Sequence, residues 1–392
     1  MKVLLFANTD WYLYNFCLSL AHALRAEGDD VMLCSPPGPY GEKLRGLGFR
    51  WIAAPMDRRS LNPMRELALV VWLSRLLRSE RVDIVHGFTI KCSIYGSLSA
   101  RIAQTQSQVN SISGLGYVFT NRDLKARLLR PVVWSLMKLA FRGANSRLIV
   151  QNTDDVSFVE RSGVIDPRNV RLVPGSGVNC ERFAPLSIEH RRPQRPEPLR
   201  VLLAARLLWD KGVAEYIAAA RSLKGQGRSI DFLLAGEPDE GNPAAVPTET
   251  VRRWGEEGLV TRLGHVEDMP DLLRSVDIAV LPSYREGLPK GLLEAAACEL
   301  PIVTTDAPGC RHVVTDNVEG LVVPCRDSAA LAQALARLHD APELRLRLGA
   351  NARARVLKEF DEEIINRRVI SIYRELAAGS LGPVHQRSAS TQ

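Results

Sequence analysis

The sequence predicts an α/β protein in which two doubly wound parallel sheets form two successive domains. Short apolar runs alternate with helical patterns in the first half of the chain, a second strand-helix series begins at Arg200, and 392 residues are enough for two cores. Parallel strands that are covered on both faces give such near-continuous apolar runs. In the first half the predicted strands are 3–7, 31–34, 84–85, 109–112, 147–150 and 170–173, and helices are predicted at 16–27, 64–79 and 94–103.

The composition is that of a folded protein with a basic surface. Hydrophobic residues make up 46% of the chain and charged residues 24%, which are globular values. The formal net charge of +7 favours anionic partners: nucleotide phosphates, lipid diphosphates, acidic membrane surfaces or nucleic acid. The sign of the charge does not separate them, but no recognisable nucleic-acid-binding motif occurs, so we expect no nucleic acid partner.

The seven cysteines predict neither a disulfide framework nor a zinc site, because they are odd in number and include no Cys-x-x-Cys pair. No secretory signal precedes the first strand. The longest apolar runs, 67–73 and 131–136, are far shorter than the ~20 residues of a membrane span. We therefore expect a cytoplasmic protein, soluble or peripheral on the inner face of the cytoplasmic membrane.

The segments that follow the predicted strands are the candidate sites, because ligands of open parallel sheets bind beyond the carboxyl ends of the strands. Asn8 follows the first strand, His86 and Lys91 follow the third, and Gly114 and Gly116 follow the fourth. No Gly-x-Gly-x-x-Gly lies in a strand-helix turn, which counts against a dinucleotide oxidoreductase. Structural alternatives stay open: a histidine satisfied by a backbone carbonyl, a solvated lysine and a plain glycine turn.

Residues 122–147 combine basic side chains with an apolar stripe, and Pro131 either divides them into two helices or begins the second one. A basic amphipathic helix with a tryptophan is typical of a membrane interface, where each basic residue near an anionic leaflet adds about 1 kcal/mol. The alternative is an ordinary helix whose stripe packs on the sheet while its charges face water. The basic residues are Arg122, Lys125, Arg127, Arg130, Lys138, Arg142 and Arg147.

Two segments of the second half carry the strongest site pattern. Arg206 and Lys211 flank one turn between a strand and a helix, where a guanidinium can hold a phosphate through two hydrogen bonds and an ammonium adds a point charge. Glu286 precedes a second predicted helix and Glu294 lies inside it. Pro289 suits the first turn of that helix, whose unpaired N–H groups attract phosphate. Together the segments predict a pocket for a phosphorylated, hydroxyl-rich ligand.

These segments resemble motifs of glycosyltransferase family 4. The stretch from Glu286 to Glu294 is similar to the family's Glu-x7-Glu motif. The segment from Arg206 to Lys211 resembles its donor-diphosphate site, with Ala205 where glycine is usual.

The N-terminal half resembles a subgroup of that family that acts on polyprenyl-diphosphate-linked sugars, through residues 8–16 and 113–119. It departs from the commonest family pattern because the Gly-rich loop after the first strand is missing. Glu299 stands where a glycine commonly ends the helix, which costs about 1 kcal/mol if the backbone there is left-handed. His312 stands where an acidic residue is frequent.

The resemblance implies a retaining glycosyltransferase with the GT-B fold, in which two Rossmann-like domains enclose an interdomain cleft. It implies transfer of a hexose or an N-acetylhexosamine from a nucleotide diphosphate donor, a UDP-sugar, to a polyprenyl-diphosphate-linked saccharide in surface glycan synthesis. No metal or other cofactor is expected, and the chain has no Asp-x-Asp pair. Two alternatives are a nucleotide-sugar epimerase or phosphorylase of the same fold and a non-catalytic membrane-surface binding protein.

The resemblance also assigns residues to roles. The implied catalytic residues are Glu286, His86, Arg206 and Lys211. The implied donor-binding residues are Arg206, Lys211, Gly264, Val266, Glu286, Gly287, Leu288, Pro289 and Glu294, with Glu286 on the sugar hydroxyls and Glu294 on the nucleotide ribose. The implied acceptor-binding residues are Asn8, Lys91, Gly114 and Gly116.

Composition and the same resemblance set the predicted domain boundaries. Residues 1–183 form an acceptor-binding domain, residues 184–198 a Pro-rich linker, and residues 199–359 a donor-binding domain. A helix at 360–378 crosses back onto the first domain, and residues 379–392 form a disordered tail.

Overall fold

Two parallel sheets organise the chain, each at the centre of its own compact unit. The first unit comprises Met1–Ser176 together with the residues from Ile365 onward, and the second comprises Gly177–Ile364. The computed structural model describes residues 1–58, 60, 62–114, 124–186, 198–239 and 241–380, with the backbone alone at 124–126 and 379–380.

The first unit contains a seven-stranded parallel sheet in the order β3-β2-β1-β4-β5-β6-β7. Its strands are β1 Lys2–Phe6, β2 Asp30–Ser35, β3 Arg50–Ala53, β4 Ile84–Phe88, β5 Ser107–Ile112, β6 Ser146–Val150 and β7 Val170–Leu172. Its helices are α1 Asp10–Tyr12, continued by a π-helical turn at Leu13–Cys17, then α2 Leu18–Ala26, α3 Pro39–Gly46, α4 Pro63–Glu80, α5 Thr89–Ala103, α6 Leu124–Ala140 and α7 Thr153–Ser162, with a 3₁₀ turn at Pro167–Asn169.

The second unit contains a six-stranded parallel sheet in the order β10-β9-β8-β11-β12-β13. Its strands are β8 Leu199–Ala204, β9 Ile230–Ala235, β10 Thr261–Gly264, β11 Ile278–Leu281, β12 Ile302–Thr305 and β13 Gly320–Val323. After a 3₁₀ turn at Trp209–Lys211, its helices are α8 Val213–Gly225, α9 Thr248–Glu256, α10 Met269–Arg274, α11 Lys290–Ala297, α12 Cys310–Val313, α13 Ser328–Asp340 and α14 Pro342–Glu359. Helix α15, Glu362–Ser380, begins in this unit and continues into the first.

Both faces of each sheet are buried, as the apolar runs predict. In β1, Val3 and Leu5 enter one core cluster while Leu4 and Phe6 enter the cluster on the other face. In β8, Val201 and Leu203 face one cluster and Leu202 faces the other. All strand pairs in the two sheets are parallel, which confirms the predicted doubly wound α/β class.

The structure differs from the sequence prediction at several elements. Strand β3 was not predicted, because only Trp51 of its four residues is buried and the apolar pattern is short. Pro131 does not divide the basic segment, because α6 runs through it as one helix from Leu124 to Ala140. Met137 and Ala140 are buried in the core beside the sheet, and this packing stabilises the helix although Pro131 has no backbone N–H to donate.

The change between the units comes at Gly177, earlier than the predicted boundary at residue 183. Val178 and Phe183 are buried in a core cluster of the second unit, and Gly177 lies against the backbone of Glu362 in the same unit. From Ile365 onward, α15 packs into the first unit, where Tyr373 is fully buried. Most of the predicted linker and residues 381–392 of the predicted tail lie outside the described residues.

Candidate active site

The second sheet reverses its strand order between β8 and β11, and two predicted donor residues meet at this point. Lys211 ends the turn after β8, and Glu286 lies in the loop after β11. Lys211 Nζ is 2.5 Å from Glu286 Oε1, and the two side chains are only 16% and 13% exposed. Ligands of open α/β sheets bind where the strand order reverses. The residues that the sequence selected therefore form an ion pair at the position where the fold favours a ligand.

Backbone contacts fix the two loops that carry this ion pair. The Tyr284 N–H donates to the Asp210 carbonyl at 2.8 Å, and the Ser283 hydroxyl donates to the same carbonyl at 3.1 Å. Gly212 has a φ of +73°, and a Cβ at this position would lie 2.1 Å from the Pro282 carbonyl oxygen. A glycine is thus required for the loops to approach this closely.

Arg206 lies in the loop after β8 and pairs with an acid that the sequence did not indicate. Its Nη1 is 2.9 Å from Asp239 Oδ2, and the same oxygen accepts a hydrogen bond from the Asn242 amide at 3.2 Å. The Arg206 side chain is 57% exposed, whereas Asp239 is 14% exposed. No local pattern marks Asp239, because it meets Arg206 only through the neighbouring positions of β8 and β9 in the sheet.

Glycines bring the loops after β8, β9 and β10 into contact. Gly264 ends β10 with a φ of +64°, and its carbonyl accepts a hydrogen bond from the Gly236 N–H at 2.7 Å. Gly236 has a φ of +122° and touches the Ala205 carbonyl so closely that a Cβ would overlap it. Val266, the other predicted contact to the nucleotide base, is half-buried against the adjoining core cluster. These loops form a tight edge with little room for side chains at the glycine positions.

Helix α11 begins at Lys290, one residue after Pro289, which is the N-cap residue and does not lie in the first turn as predicted. Gly287 and Leu288 lie between this helix and Glu286, and Leu288 is buried. The N-terminus of α11 therefore faces the same edge as the ion pair and carries the partial positive charge of a helix start.

Glu294 lies on the second turn of α11 and is half-buried. Burial raises the pKa of its carboxyl, and the positive charges of Lys290 and Arg182 oppose that shift. Within the described ranges its carboxylate has no hydrogen-bond or ion-pair partner. A desolvated carboxylate without a protein partner is suited to accept hydrogen bonds from a ligand.

His86 lies inside β4, not after it, and its ring is 1% exposed. Nδ1 shares a hydrogen bond of 2.5 Å with the Tyr373 hydroxyl, and Nε2 shares one of 2.6 Å with the Ser111 hydroxyl. The ring also stacks on Phe88 with centroids 4.0 Å apart. Burial lowers the pKa of His86 to about 3, so the ring is neutral near neutral pH. This environment matches the alternative of a histidine satisfied within the protein, except that side-chain hydroxyls and not a backbone carbonyl are its partners.

Lys91 is occupied by contacts within the first unit. Its ammonium donates to the Asp57 and Ser60 carbonyls at 2.7 and 3.0 Å and to Glu66 Oε1 at 2.9 Å. An ammonium has three donors, so these contacts use its whole capacity. The predicted contact to an acceptor phosphate would require one of them to be exchanged.

Two other predicted acceptor residues, Asn8 and Gly114, lie near a convergence of segments that the sequence did not reveal. Gly114 has a φ of +85°, and Asn8 is half-buried after β1, whereas Gly116 lies outside the described residues. Beside Gly114, the Ser113 hydroxyl shares a hydrogen bond with the Tyr12 hydroxyl at 2.9 Å and accepts one from the Gln151 amide at 3.3 Å. Helix α1 and the segments after β5 and β6 thus meet at the carboxyl edge of the first sheet.

Thr89 is a further residue that sequence reasoning missed. It begins α5 directly after β4, at the point where the first sheet reverses its order, and its φ is +73°. A β-branched residue rarely adopts this left-handed backbone, and such strain is concentrated at functional sites. No sequence pattern signals it, because threonine is unremarkable at a helix start.

In the described ranges no three His, Cys, Asp or Glu side chains are grouped as ligands for a metal ion. Among the same residues, every helix is too short or too polar to cross a membrane.

Comparison with known proteins decides the family. Residues 187–355 match the model for glycosyl transferases group 1, and residues 2–153 match that for glycosyl transferase 4-like domains. The chain is 31% identical over 381 residues to the N,N'-diacetylbacillosaminyl-diphospho-undecaprenol alpha-1,3-N-acetylgalactosaminyltransferase of Campylobacter jejuni. The alignment covers 95% of this chain and 98% of that protein. The chain belongs to glycosyltransferase family 4.

Further comparisons agree with this family 4 glycosyltransferase assignment. A UDP-Gal:alpha-D-GlcNAc-diphosphoundecaprenol alpha-1,3-galactosyltransferase of Escherichia coli is 24% identical over 340 residues, with 85% of each chain covered. The solved structure of Anabaena HepE in complex with UDP-glucose superposes with a TM-score of 0.78 at 19% identity, over 96% of this chain and 100% of that one. A glycosyltransferase from Rickettsia africae gives a TM-score of 0.74 at 19% identity, over 96% and 98% of the two chains. These likenesses confirm the predicted GT-B fold.

Proposed function

We propose that this family 4 glycosyltransferase moves a hexose or an N-acetylhexosamine from a UDP-sugar to a polyprenyl-diphosphate-linked saccharide, with retention of configuration, in surface glycan synthesis. The observation that carries the proposal is the Lys211–Glu286 ion pair at the strand-order reversal of the second sheet. The names of the Campylobacter jejuni and Escherichia coli relatives, which both include an undecaprenol diphosphate, support the acceptor class. The UDP in the second name, and the UDP-glucose complex of Anabaena HepE, support the donor.

The cations of this site suit the leaving diphosphate. Cleavage of a sugar–phosphate bond builds negative charge on the diphosphate, and fixed charges and dipoles aimed at it stabilise the transition state without reorganising. Lys211 and Arg206 supply the charges, and the Gly287–Pro289 segment leads into the helix start that supplies the dipole. The diphosphate would share these cations with Glu286 and Asp239, the acids that pair with them in the described protein.

The two acids of the Glu-x7-Glu motif act as hydroxyl acceptors in this proposal. Glu286, oriented by Lys211, holds sugar hydroxyls next to the reacting carbon. Glu294 accepts hydrogen bonds from the ribose hydroxyls. These bonds satisfy a desolvated carboxylate that has no partner among the described residues. Gly264 and Val266 line the place of the nucleotide base. The leaving diphosphate itself assists removal of the acceptor proton, so no separate general base is needed.

Asn8, Gly114 and Gly116 remain the proposed acceptor contacts in the first unit. For His86 and Lys91 we propose positioning roles, because every polar group of both side chains is already engaged within that unit. The reaction is proposed to need no metal ion. The enzyme is proposed to work on the cytoplasmic face of the membrane, in contact with anionic lipid through residues 122–147.

A panel of radiolabelled nucleotide sugars, incubated with the enzyme and a membrane lipid extract, tests the proposal. Label that enters the organic phase from a UDP-sugar supports it, whereas an epimer or free sugar formed without lipid favours the epimerase or phosphorylase alternative. Arg206→Ala and Glu294→Ala should each abolish most of the transfer. Arg221→Ala is the matched control, because Arg221 is 61% exposed on α8 and its one ion pair among the described residues is with Glu257. Undiminished transfer by both site variants would refute the site assignment.

A further inference from the structure

Helix α4 has an apolar outer face that no other part of the described chain covers. Met64, Leu67 and Val71 are 72%, 59% and 40% exposed. Their spacing of three and four residues places them in one stripe along the helix. The opposite side of α4 is buried in the core through Leu69, Val70, Leu73 and Leu77.

Helix α6 repeats this arrangement. Leu128, Val132 and Leu139 are 66%, 55% and 53% exposed, and their spacing also forms one stripe. Met137 and Ala140 lie on the other side of the helix and are buried. Helix α6 therefore has two apolar faces, and packing on the sheet accounts for only the inner one.

The two exposed stripes belong to one layer of helices. The strand register places Leu4 opposite Val85 and Val85 opposite Gln108. Asn110, two residues further along β5 and on the same face, lies opposite Leu148, so the core residues beneath α4 and α6 lie on one face of the sheet. Helix α5 lies between them: Arg78 at the end of α4 donates to the Ile102 carbonyl at 2.7 Å, and Arg101 donates to the Leu139 carbonyl at 3.0 Å. Ile102 itself is 52% exposed. We call this surface the outer helical face: Met64, Leu67, Val71, Ile102, Leu128, Val132 and Leu139.

The three helices that carry the outer helical face leave no acidic residue without a basic partner. Neither α5 nor α6 contains an acidic residue, and both acids of α4 are paired, Glu66 with Lys91 and Glu80 with Arg50. Five basic side chains near it are exposed and form no ion pair with any described residue: Arg65, Arg75, Arg127, Lys138 and Arg142. A second copy that docked through the same face would bring the same positive charge and be repelled, whereas an anionic surface is complementary.

We propose that the outer helical face docks on the surface of a bilayer that carries anionic lipid, with the stripe of α4 inserted as well as that of α6. The inference extends the membrane contact proposed for residues 122–147 to a helix that the basic motif does not include. An amphipathic helix binds such a surface by burying its apolar face at the acyl boundary while its basic residues meet the headgroups. Two helices held by one rigid layer then fix the orientation of the first unit on the bilayer.

The test is cosedimentation of the full chain with vesicles of phosphatidylcholine and phosphatidylglycerol in equal amounts. The double variant Leu67→Gln with Val71→Gln places a good helix former at two exposed positions, so the fold should survive. Circular dichroism checks that it does. We expect its partition into the vesicles to fall at least about tenfold, because both side chains leave the apolar phase. The matched control is Leu346→Gln with Leu357→Gln, which changes two exposed leucines of the second unit and should bind like the parent.

Equal binding by the parent and the α4 variant would overturn the proposal, and so would equal binding of the parent to vesicles of phosphatidylcholine alone. Sedimentation velocity without lipid provides the other decisive outcome. If the parent self-associates and the α4 variant does not, a second copy occupies the face and the proposal is wrong. Because the assay contains neither donor nor acceptor, its outcome is independent of whether the proposed sugar transfer is found.

Discussion

The environment of His86 leads to a prediction about the stability of the first unit. Its ring is buried with both nitrogens in hydrogen bonds, and its pKa falls to about 3 from an ordinary value of 6.5. The unfolded chain therefore binds a proton below about pH 6.5 that the folded chain does not bind until about pH 3. The stabilisation is present above pH 6.5 and is lost as the pH falls toward the folded pKa.

The magnitude follows from the two pKa values. One pKa unit corresponds to about 1.4 kcal/mol, so acidification from about pH 7 to about pH 5 should lower the free energy of opening by about 2 kcal/mol. The variant His86→Gln removes the titrating ring. It should be less stable at neutral pH, since it loses the stack on Phe88, and it should lack this part of the pH dependence.

Hydrogen exchange of peptides from β4 and β5, corrected for the intrinsic effect of pH and read by mass spectrometry, measures this opening locally. Comparison of parent and variant cancels the other titrating groups. The reasoning is refuted if both lose stability equally between the two pH values, because His86 would then titrate normally in the folded state. The pH profile of kcat adds a second test: a limb that vanishes in the variant would mean that His86 acts as an acid or base in the reaction.

The remaining predictions concern the second unit and the need for metal. Gly212→Ala should lower the free energy of unfolding of that unit by roughly 3 kcal/mol or more in thermal unfolding, because the added Cβ would overlap the Pro282 carbonyl. The control Gly258→Ala has a φ of +66° and open space around it, so it should cost only about 1 kcal/mol. Equal costs for the two variants would contradict this account. Glu294→Gln should lower kcat/KM for the donor about tenfold to a hundredfold in steady-state kinetics, because a hydrogen bond to a charged group is exchanged for a neutral one. Since burial raises the pKa of Glu294, donor affinity should weaken on acidification at a higher pH than an ordinary carboxylate would give, and Gln at this position should remove that limb. Chelation with EDTA should leave transfer unchanged in the radiolabel assay, and activity restored only by added divalent cation would show that a metal is needed.

The meeting of Lys211 and Glu286 was predictable because each lies in a short segment whose local pattern carries the information. Lys211 and Glu286 follow apolar strands and precede helices, and in a parallel sheet that alone places them on one edge. The Asp239 partner of Arg206 was not predictable, since no pattern singles out one acid among the three of a polar loop. Glu299 was predictable in part. The sequence analysis gave a cost at this position if its backbone is left-handed, and the φ of +65° shows that it is.

Sequence periodicity determined the two α/β domains, and contiguous motifs determined the family, because both depend on residues close together in the chain. Partners and burial were decided by the tertiary structure. His86 meets Tyr373 across 287 positions of sequence, and Lys91 meets Glu66 on another helix, so two residues that look like ligand contacts are engaged inside the first unit. The tertiary structure also decided that one apolar stripe of α6 is exposed and the other is buried. A periodic pattern shows that a helix has an apolar face, but only the packing of distant segments decides which face is covered.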